Sequence, residues 1–433
     1  MCDLPESHVR QILEENRKLK EKVTFLERRI QELEKLLNVY DNPHTPPSQR
    51  RFASSRQSRS NGKPGQKEGH AGTTRPLAKP DRTIEVTASA CPHCKSKLRF
   101  TGMERRIIED TPRIQQKIVT EFLVSHYHCD KCGREVVPSH PELPRNGRFG
   151  KNVTAQATVM KFCDRLTYDK INNALARHGL DVSSATILDL ANRATNAMRP
   201  EYERIMRRIR SAKAVYSDET SIKVSGKNCW IWVFVAGNDV LVVVADSRGK
   251  NVIESTLGKD FKGIIVCDGW KPYSGFTRKI QRCWAHLLRE ADCIAEHHEE
   301  AARLAEELHS IFDECKDMLD EDPPFHVREQ IWKAMNARVK RLVSLDYRSK
   351  PVKRFVNKIN NGFDYWFTFV LNPGVEPTNN IAERALREHV VQRKIIGTLR
   401  NRKGMYMHET AMSVIQTQMN MGLNPYEELL RVL

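Results

Sequence analysis

The chain has 433 residues, 71 Lys and Arg against 54 Asp and Glu, a formal net charge of +17, and 39% hydrophobic residues. The length exceeds what one core organises, with a prior of roughly two to four domains, and the charge points to a polyanionic partner, nucleic acid ahead of membrane. No apolar run is long enough to span a bilayer, the polar N-terminus lacks a signal-peptide pattern, and the eleven cysteines therefore read as thiols and metal ligands in a cytoplasmic, nucleoid-associated protein.

Residues 6–40 repeat in heptads. Val9, Asn16, Val23, Ile30 and Leu37 occupy one seam position; Ile12, Leu19, Leu26, Leu33 and Tyr40 occupy the other. Branched residues at the first and mostly Leu at the second favour a parallel two-stranded coiled coil, with Asn16 fixing register. The competing reading is an amphipathic helix packed on the body of the protein. The sequence thus predicts a homodimer or higher oligomer built through residues 1–41. Residues 42–83 form a linker rich in Pro, Gly and Ser that cannot bury a core. Its charges are mostly basic, among them Arg50, Arg51, Arg56, Arg59, Lys63, Lys67, Arg75, Lys79 and Arg82, which suits tracking phosphates.

Two CxxC knuckles follow, Cys91 with Cys94 and Cys129 with Cys132, separated by alternating β-type stretches. Four thiolates at the ends of a small β unit predict a structural Zn²⁺ ribbon over residues 84–142, with no open coordination position. Residues 143–211 read as helical: periodic runs over Val153–Leu166 and Thr167–Arg177, an interruption at Gly179, and a third helix capped by Ser183 or Ser184 and running through Ala191. The proportions are those of a helix-turn-helix, although an ordinary helical pair linking two domains has the same signals.

From residue 212 the pattern changes to strands. Ala214–Val224, Trp230–Ala236 and Val240–Ala245 read as strands, Asn251–Leu257 as a helix, and Gly263–Cys267 and Ile280–Cys283 as further strands of a mixed sheet. Residues 285–372 read as a helical insertion, broken at Pro323–Pro324 and ending in a Phe- and Trp-rich helix whose aromatics have core spacing. Asp218 lies on the first strand, Asp268 at the end of a buried strand, and Glu383 at a helix start after Asn379 and Asn380. Neighbours on a strand face opposite sides, so only one of Asp218 and Glu219 can join a common site. Glu219 is expected to face away. Three carboxylates brought together can hold two Mg²⁺ ions for work on a phosphodiester.

With these residues in view the chain resembles the insertion-sequence transposases of the sixty-six type, which are DDE enzymes with a ribonuclease H-like catalytic core. The resemblance is carried by Asp218–Glu219–Thr220, Cys267–Asp268–Gly269–Trp270 with Tyr273, Cys283–Trp284–Ala285–His286 with Arg289, and Asn379–Asn380–Ile381–Ala382–Glu383–Arg384 followed by Arg393–Lys394. It extends over the coiled coil, the linker and the cysteine segment in the same order. The chain departs from the family at Ile395–Thr398 and in a linker lacking the usual Pro before Gly69–His70. The resemblance implies a multidomain α/β protein whose core spans residues 212–433, with Asp218, Asp268 and Glu383 as catalytic, Mg²⁺-binding triad. His286, Arg289, Arg384, Arg387, Arg393 and Lys394 are candidate DNA contacts. It implies strand cleavage at element ends and transfer into target DNA, with accessory proteins of the same element as further candidates for partners. The rival functions are a domesticated DNA-binding regulator that no longer cuts and a structural scaffold.

Overall fold

A computed structural model describes residues 115–144 and 147–433 continuously, with scattered residues between 79 and 108 and Lys22, Val23 and Leu26. Those last three are helical and exposed. The rest of the heptad segment, nearly all of the basic linker, and Cys91 lie outside the described residues.

Two short strands, β1 (Tyr127–Cys129) and β2 (Arg134–Val136), form an antiparallel hairpin with His128 opposite Glu135. Gly133 closes it at φ +65°, with its N–H donating to the Cys129 carbonyl at 2.8 Å. That left-handed backbone favours glycine, which has no Cβ to clash. Residues 115–117 dock on the helical region: the Lys117 N–H donates to the His178 carbonyl at 2.8 Å and the Lys117 ammonium to the Gly179 carbonyl at 2.6 Å.

The helices α1 (Lys151–Phe162), α2 (Tyr168–Ala176) and α3 (Ser184–Arg210) enclose a small core of Ala157, Ile171, Leu175, Val182, Ile187 and Leu190. Ser183 caps α3, its hydroxyl accepting from the Thr186 N–H at 3.2 Å. This helix does not stop near Ala191 as expected but runs on through Pro200 to Arg210. Proline removes one N–H from the helical ladder. The cost is outweighed by burial of one continuous stripe, Ala191, Ala194, Met198, Tyr202, Ile205 and Ile209, in the main core.

The main sheet has six strands: β3 (Ala214–Val224), β4 (Lys227–Ala236), β5 (Asp239–Ala245), β6 (Ile264–Cys267), β7 (Ile280–Arg282) and β8 (Thr398–Leu399). Its order is β5-β4-β3-β6-β7, with β8 alongside the far end of β3. β3, β4 and β5 form an antiparallel meander, while β6 and β7 run parallel to β3, giving a mixed α/β architecture. The crossover from β5 to β6 carries α4 (Lys250–Leu257), and that from β6 to β7 carries α5 (Lys271–Phe276).

A second core belongs to the insertion: α6 (Trp284–Ala295), α7 (Ala302–Asp317), α8 (Phe325–Val343), α9 (Lys350–Asn361) and the short α10 (Thr368–Leu371). Trp284 sits at its centre, its indole N–H donating to the Trp366 carbonyl at 2.6 Å. The aromatic segment is not one helix. It ends at Asn361, and Gly362 gives way to a 3₁₀ turn over Phe363–Tyr365. A Cβ at Gly362 would lie 2.2 Å from the guanidinium of Arg282, so an arginine from the sheet occupies that space. Phe355, Ile359, Trp366 and Phe367 are core residues, as their spacing indicated. The chain then forms α11 (Asn380–Ile396), α12 (Arg402–Asn420) and α13 (Pro425–Val432).

Candidate active site

Register determines the first two acids. Tyr216 pairs with Val266 in the parallel ladder of β3 and β6. Two residues further along each strand stand Asp218 and Asp268, at the same level of the sheet. β6 ends at Cys267, just before Asp268, and the Asp268 carboxylate accepts the Trp270 N–H at 2.9 Å. The third acid arrives on α11. Its N-cap, Asn379, is fully buried; the Asn379 amide donates to the Ser217 carbonyl at 2.8 Å and its N–H to Cys283 Sγ at 3.2 Å. Those two bonds fix the helix start beside β3 and place Glu383 in its first turn, where a carboxylate also meets the positive end of the helix dipole.

The electrostatics report a shared site. Burial pushes the Asp218 carboxyl well above the usual carboxylate range. Its neighbours Glu219, Asp268 and Glu383 push the same way, against the Glu219 N–H, which donates to Asp218 at 2.9 Å. Glu383 is also raised, first by burial; Arg289 and Arg387 oppose the shift, and Asp268 adds to it. Asp218, Asp268 and Glu383, from three elements, therefore influence one another together with Glu219, in a partly enclosed space bordered by two arginines. Clustered like charges that cannot separate invite a cation.

Glu383 also faces a second group. His286 Nδ1 lies 3.5 Å from Glu383 Oε1, and Cys283 completes a trio whose donor atoms lie within 4.8 Å of one another. Thiol, imidazole and carboxylate are softer donors than a pure carboxylate set and suit zinc-like ions better than Mg²⁺. Burial holds the Cys283 thiol in its protonated form, opposed by N–H groups of Asn379, His286 and Ala285.

Glu219 departs from expectation. The strand alternation does turn it from Asp218, yet it is not a bystander. Its side chain is buried, with Arg248 Nε donating at 2.8 Å and the Tyr273 hydroxyl at 2.8 Å. Burial raises its pKa, Asp268 raises it further, and Arg248 and Tyr273 lower it. The Arg248 guanidinium lies 4.2 Å from the Trp270 ring centroid and 4.8 Å from that of Trp230.

Among the candidate DNA contacts, Arg289, Arg384, Arg387 and Lys394 are exposed and His286 is half-buried. Arg393 is committed elsewhere: its guanidinium donates to Thr220 Oγ1 at 3.1 Å and to the Ser221 carbonyl, tying α11 to β3. Sequence reasoning gave no role to Asn379, Arg248 or Arg282. Asn379 was visible as the first residue of the Asn-Asn-x-x-Glu-Arg motif. Arg282, stacked 5.6 Å from the centroids of both Tyr365 and Trp366, and Arg248 carried no local signal.

Of the second knuckle, Cys129 and Cys132 lie on the β1–β2 hairpin. The Cys132 N–H, the Cys132 side chain and the Lys131 N–H lower the Cys129 thiol pKa, which favours the thiolate a metal needs. Cys94 is exposed, its Sγ 3.0 Å from Ser96 Oγ.

Relatives from Sinorhizobium fredii are all described as uncharacterized proteins. One, y4jD, is 22% identical over 82% of this chain and 76% of its own length. Another, y4qI, is 22% identical over 69% of this chain and 61% of its own, and y4hP is 23% identical over 79% and 71%. The model of the Transposase IS66 family matches residues 146–407, which takes in the α1–α3 helices, the whole sheet, the insertion and the Glu383 helix. The chain belongs to the IS66 family of transposases.

Proposed function

We propose that the protein is a DNA transposase that cuts strands at the ends of its element and joins the freed 3′ ends to target DNA. Asp218, Asp268 and Glu383 serve as the catalytic carboxylates of a ribonuclease H-like core. The observation that carries this reading is the convergence of these acids, from β3, the end of β6 and the start of α11, on one space where each raises or is raised by another. The chemistry of the donors suits a divalent metal. Three carboxylates offer hard oxygens, and Glu383 Oε1 is buried with no hydrogen-bond donor among the described residues. Mg²⁺ held there supplies charge neutralisation at phosphorus and a more acidic attacking water.

The chain's own residues do the rest. Asn379 and Arg393 hold α11 on β3, and so keep the first turn that carries Glu383 beside the strand that carries Asp218. Arg289 and Arg387, beside Glu383, offer positive charge to the DNA backbone, as do the exposed Arg384 and Lys394. Hydrolysis makes one P–O bond to water and breaks the P–O3′ bond. In strand transfer the freed 3′-hydroxyl makes one P–O bond as another breaks, so joining consumes no nucleotide. Zn²⁺ on Cys91, Cys94, Cys129 and Cys132, dimerisation through residues 6–40 and phosphate contacts from the basic linker complete the proposal.

The test is cleavage by the purified full chain of DNA carrying both flanks of its gene. In Mg²⁺ the expected products are strands ending in 3′-hydroxyls at the element boundaries, absent when metal is chelated. Tight binding to those flanks without cutting in either Mg²⁺ or Mn²⁺ would identify a DNA-binding regulator instead.

A further inference from the structure

Trp270 is a large indole left 39% exposed two residues beyond Asp268. Its ring is not loose. The backbone N–H is bonded to Asp268, the indole N–H donates to the Arg248 carbonyl at 3.3 Å, and one ring face lies on the Arg248 guanidinium. Arg248 is itself fixed by Glu219 at 2.8 Å and stacks on Trp230. The result is an ordered stack of Trp230, Arg248 and Trp270 in which the Trp270 indole remains partly exposed. Rigid aromatic faces beside a cationic surface are what unpaired bases stack on, and every base offers such a face. Lys271, the next residue, is exposed and supplies local positive charge. Two residues span at most about 7 Å of chain, so a nucleotide whose phosphate sits at Asp268 has its own or its neighbour's base within reach of Trp270.

We infer that Trp270 is a stacking platform for an unpaired nucleobase next to the phosphate at the acid cluster, so that the protein prefers DNA frayed or opened at that point. The inference rests on the proposed DNA-cutting site, but its readout is binding. The probe is a forked duplex carrying 2-aminopurine at the unpaired nucleotide next to the fork, compared with the fully paired duplex, both bound by the full chain in Ca²⁺.

Wild-type protein is expected to bind the fork roughly tenfold more tightly than the paired duplex, the size of one base–aromatic stack, and to quench the 2-aminopurine fluorescence. Trp270→Phe should keep most of the preference and the quenching. Trp270→Leu, which still covers Arg248, should lose both while binding the paired duplex as wild type does, which also shows that the variant is folded. Equal fork preference and quenching in Trp270→Leu and wild type would overturn the inference, and so would the lack of any preference in wild type. Asp218→Asn is expected to retain the preference. If the wild-type protein stacks the base yet cuts no DNA in Mg²⁺, the cleavage reading fails and the platform stands.

Discussion

Glu219 shows how little a residue's strand face says about its importance. Its carboxylate accepts from Arg248 and Tyr273 in a buried place, and Arg248 in turn supports the turn that carries Asp268 and Trp270. Glu219→Ala would leave Arg248 Nε without its acceptor and Tyr273 with only Ser217 Oγ at 3.2 Å, and a lost charge-assisted bond costs about 1–3 kcal/mol. Urea denaturation is expected to show that loss, with Glu219→Gln recovering part of it because its amide oxygen still accepts from Tyr273. An alanine variant as stable as wild type would mean the network holds nothing. Two residues of α12 make a different test. Burial lifts Glu409 to about 7 from 4.5, against the Val244 N–H it accepts at 2.6 Å and against Arg199. Burial and the Lys161 charge lower His408 from 6.5 to about 4. The folded state thus favours protonated Glu409, so its contribution is complete below pH 4.5 and is lost as pH rises through 7. It favours neutral His408, whose contribution is complete above pH 6.5 and is lost as pH falls through about 4. Each is worth about 3 kcal/mol at full extent. Glu409→Gln should make stability rise more steeply with pH than in wild type between pH 4.5 and 6.5, and His408→Gln should make it rise less steeply. Parallel stability–pH curves for wild type and both variants would contradict these assignments.

At the scale of elements, the edge of the sheet is closed by side chains. On β5 the outward N–H groups of Val240, Val242 and Val244 donate to Thr417 Oγ1 at 2.9 Å, Ser413 Oγ at 2.8 Å and Glu409. Alternate strand residues advance about 6.6 Å and every fourth helical residue about 6 Å, so one polar column of α12 matches one strand edge. An uncovered edge is a template for pairing with another chain. Ser413→Ala with Thr417→Val should cost about 2–6 kcal/mol, the sum of two buried donors left without acceptors, and should promote concentration-dependent association seen by light scattering. A fully soluble double variant of wild-type stability would remove this role. Five of the six strands of the main sheet were legible because their apolar runs are short and bounded: Ala214–Val224 matches its expected bounds, and the other four shift at their ends by three residues or fewer, while the two-residue β8 is too short to leave a pattern. The helices misled where tertiary contacts decide. The helix expected to run through Ala191 continues to Arg210 because its stripe is buried in the main core; the aromatic helix breaks at Gly362, where Arg282 from a distant strand occupies the space. The acids' types and elements could be read from the chain. That Asn379 ties Glu383 to β3, and that Arg248 and Trp270 form one stack, depends on contacts across more than twenty positions and leaves no local pattern.

Over the whole molecule, the charge of +17 and the exposed arginines around the acids make the DNA interface phosphate-dominated in this account. Affinity should therefore fall steeply and log-linearly with salt, because each neutralised phosphate releases condensed counterion; a salt-insensitive affinity would argue against it. The central claim is that three acids on one mixed sheet and its flanking helix cut DNA with metal. It is tested most directly by single-turnover cleavage of pre-bound element-end DNA in Mg²⁺ by wild type, Asp218→Asn, Asp268→Asn and Glu383→Gln, with DNA affinity measured in parallel. The account predicts that each variant binds DNA at least as tightly as wild type, having lost a charge that repels phosphate, and cuts at least a thousandfold more slowly, a loss of about 4 kcal/mol or more in transition-state stabilisation. Cleavage at the wild-type rate by any one of the three, with binding intact, would contradict it.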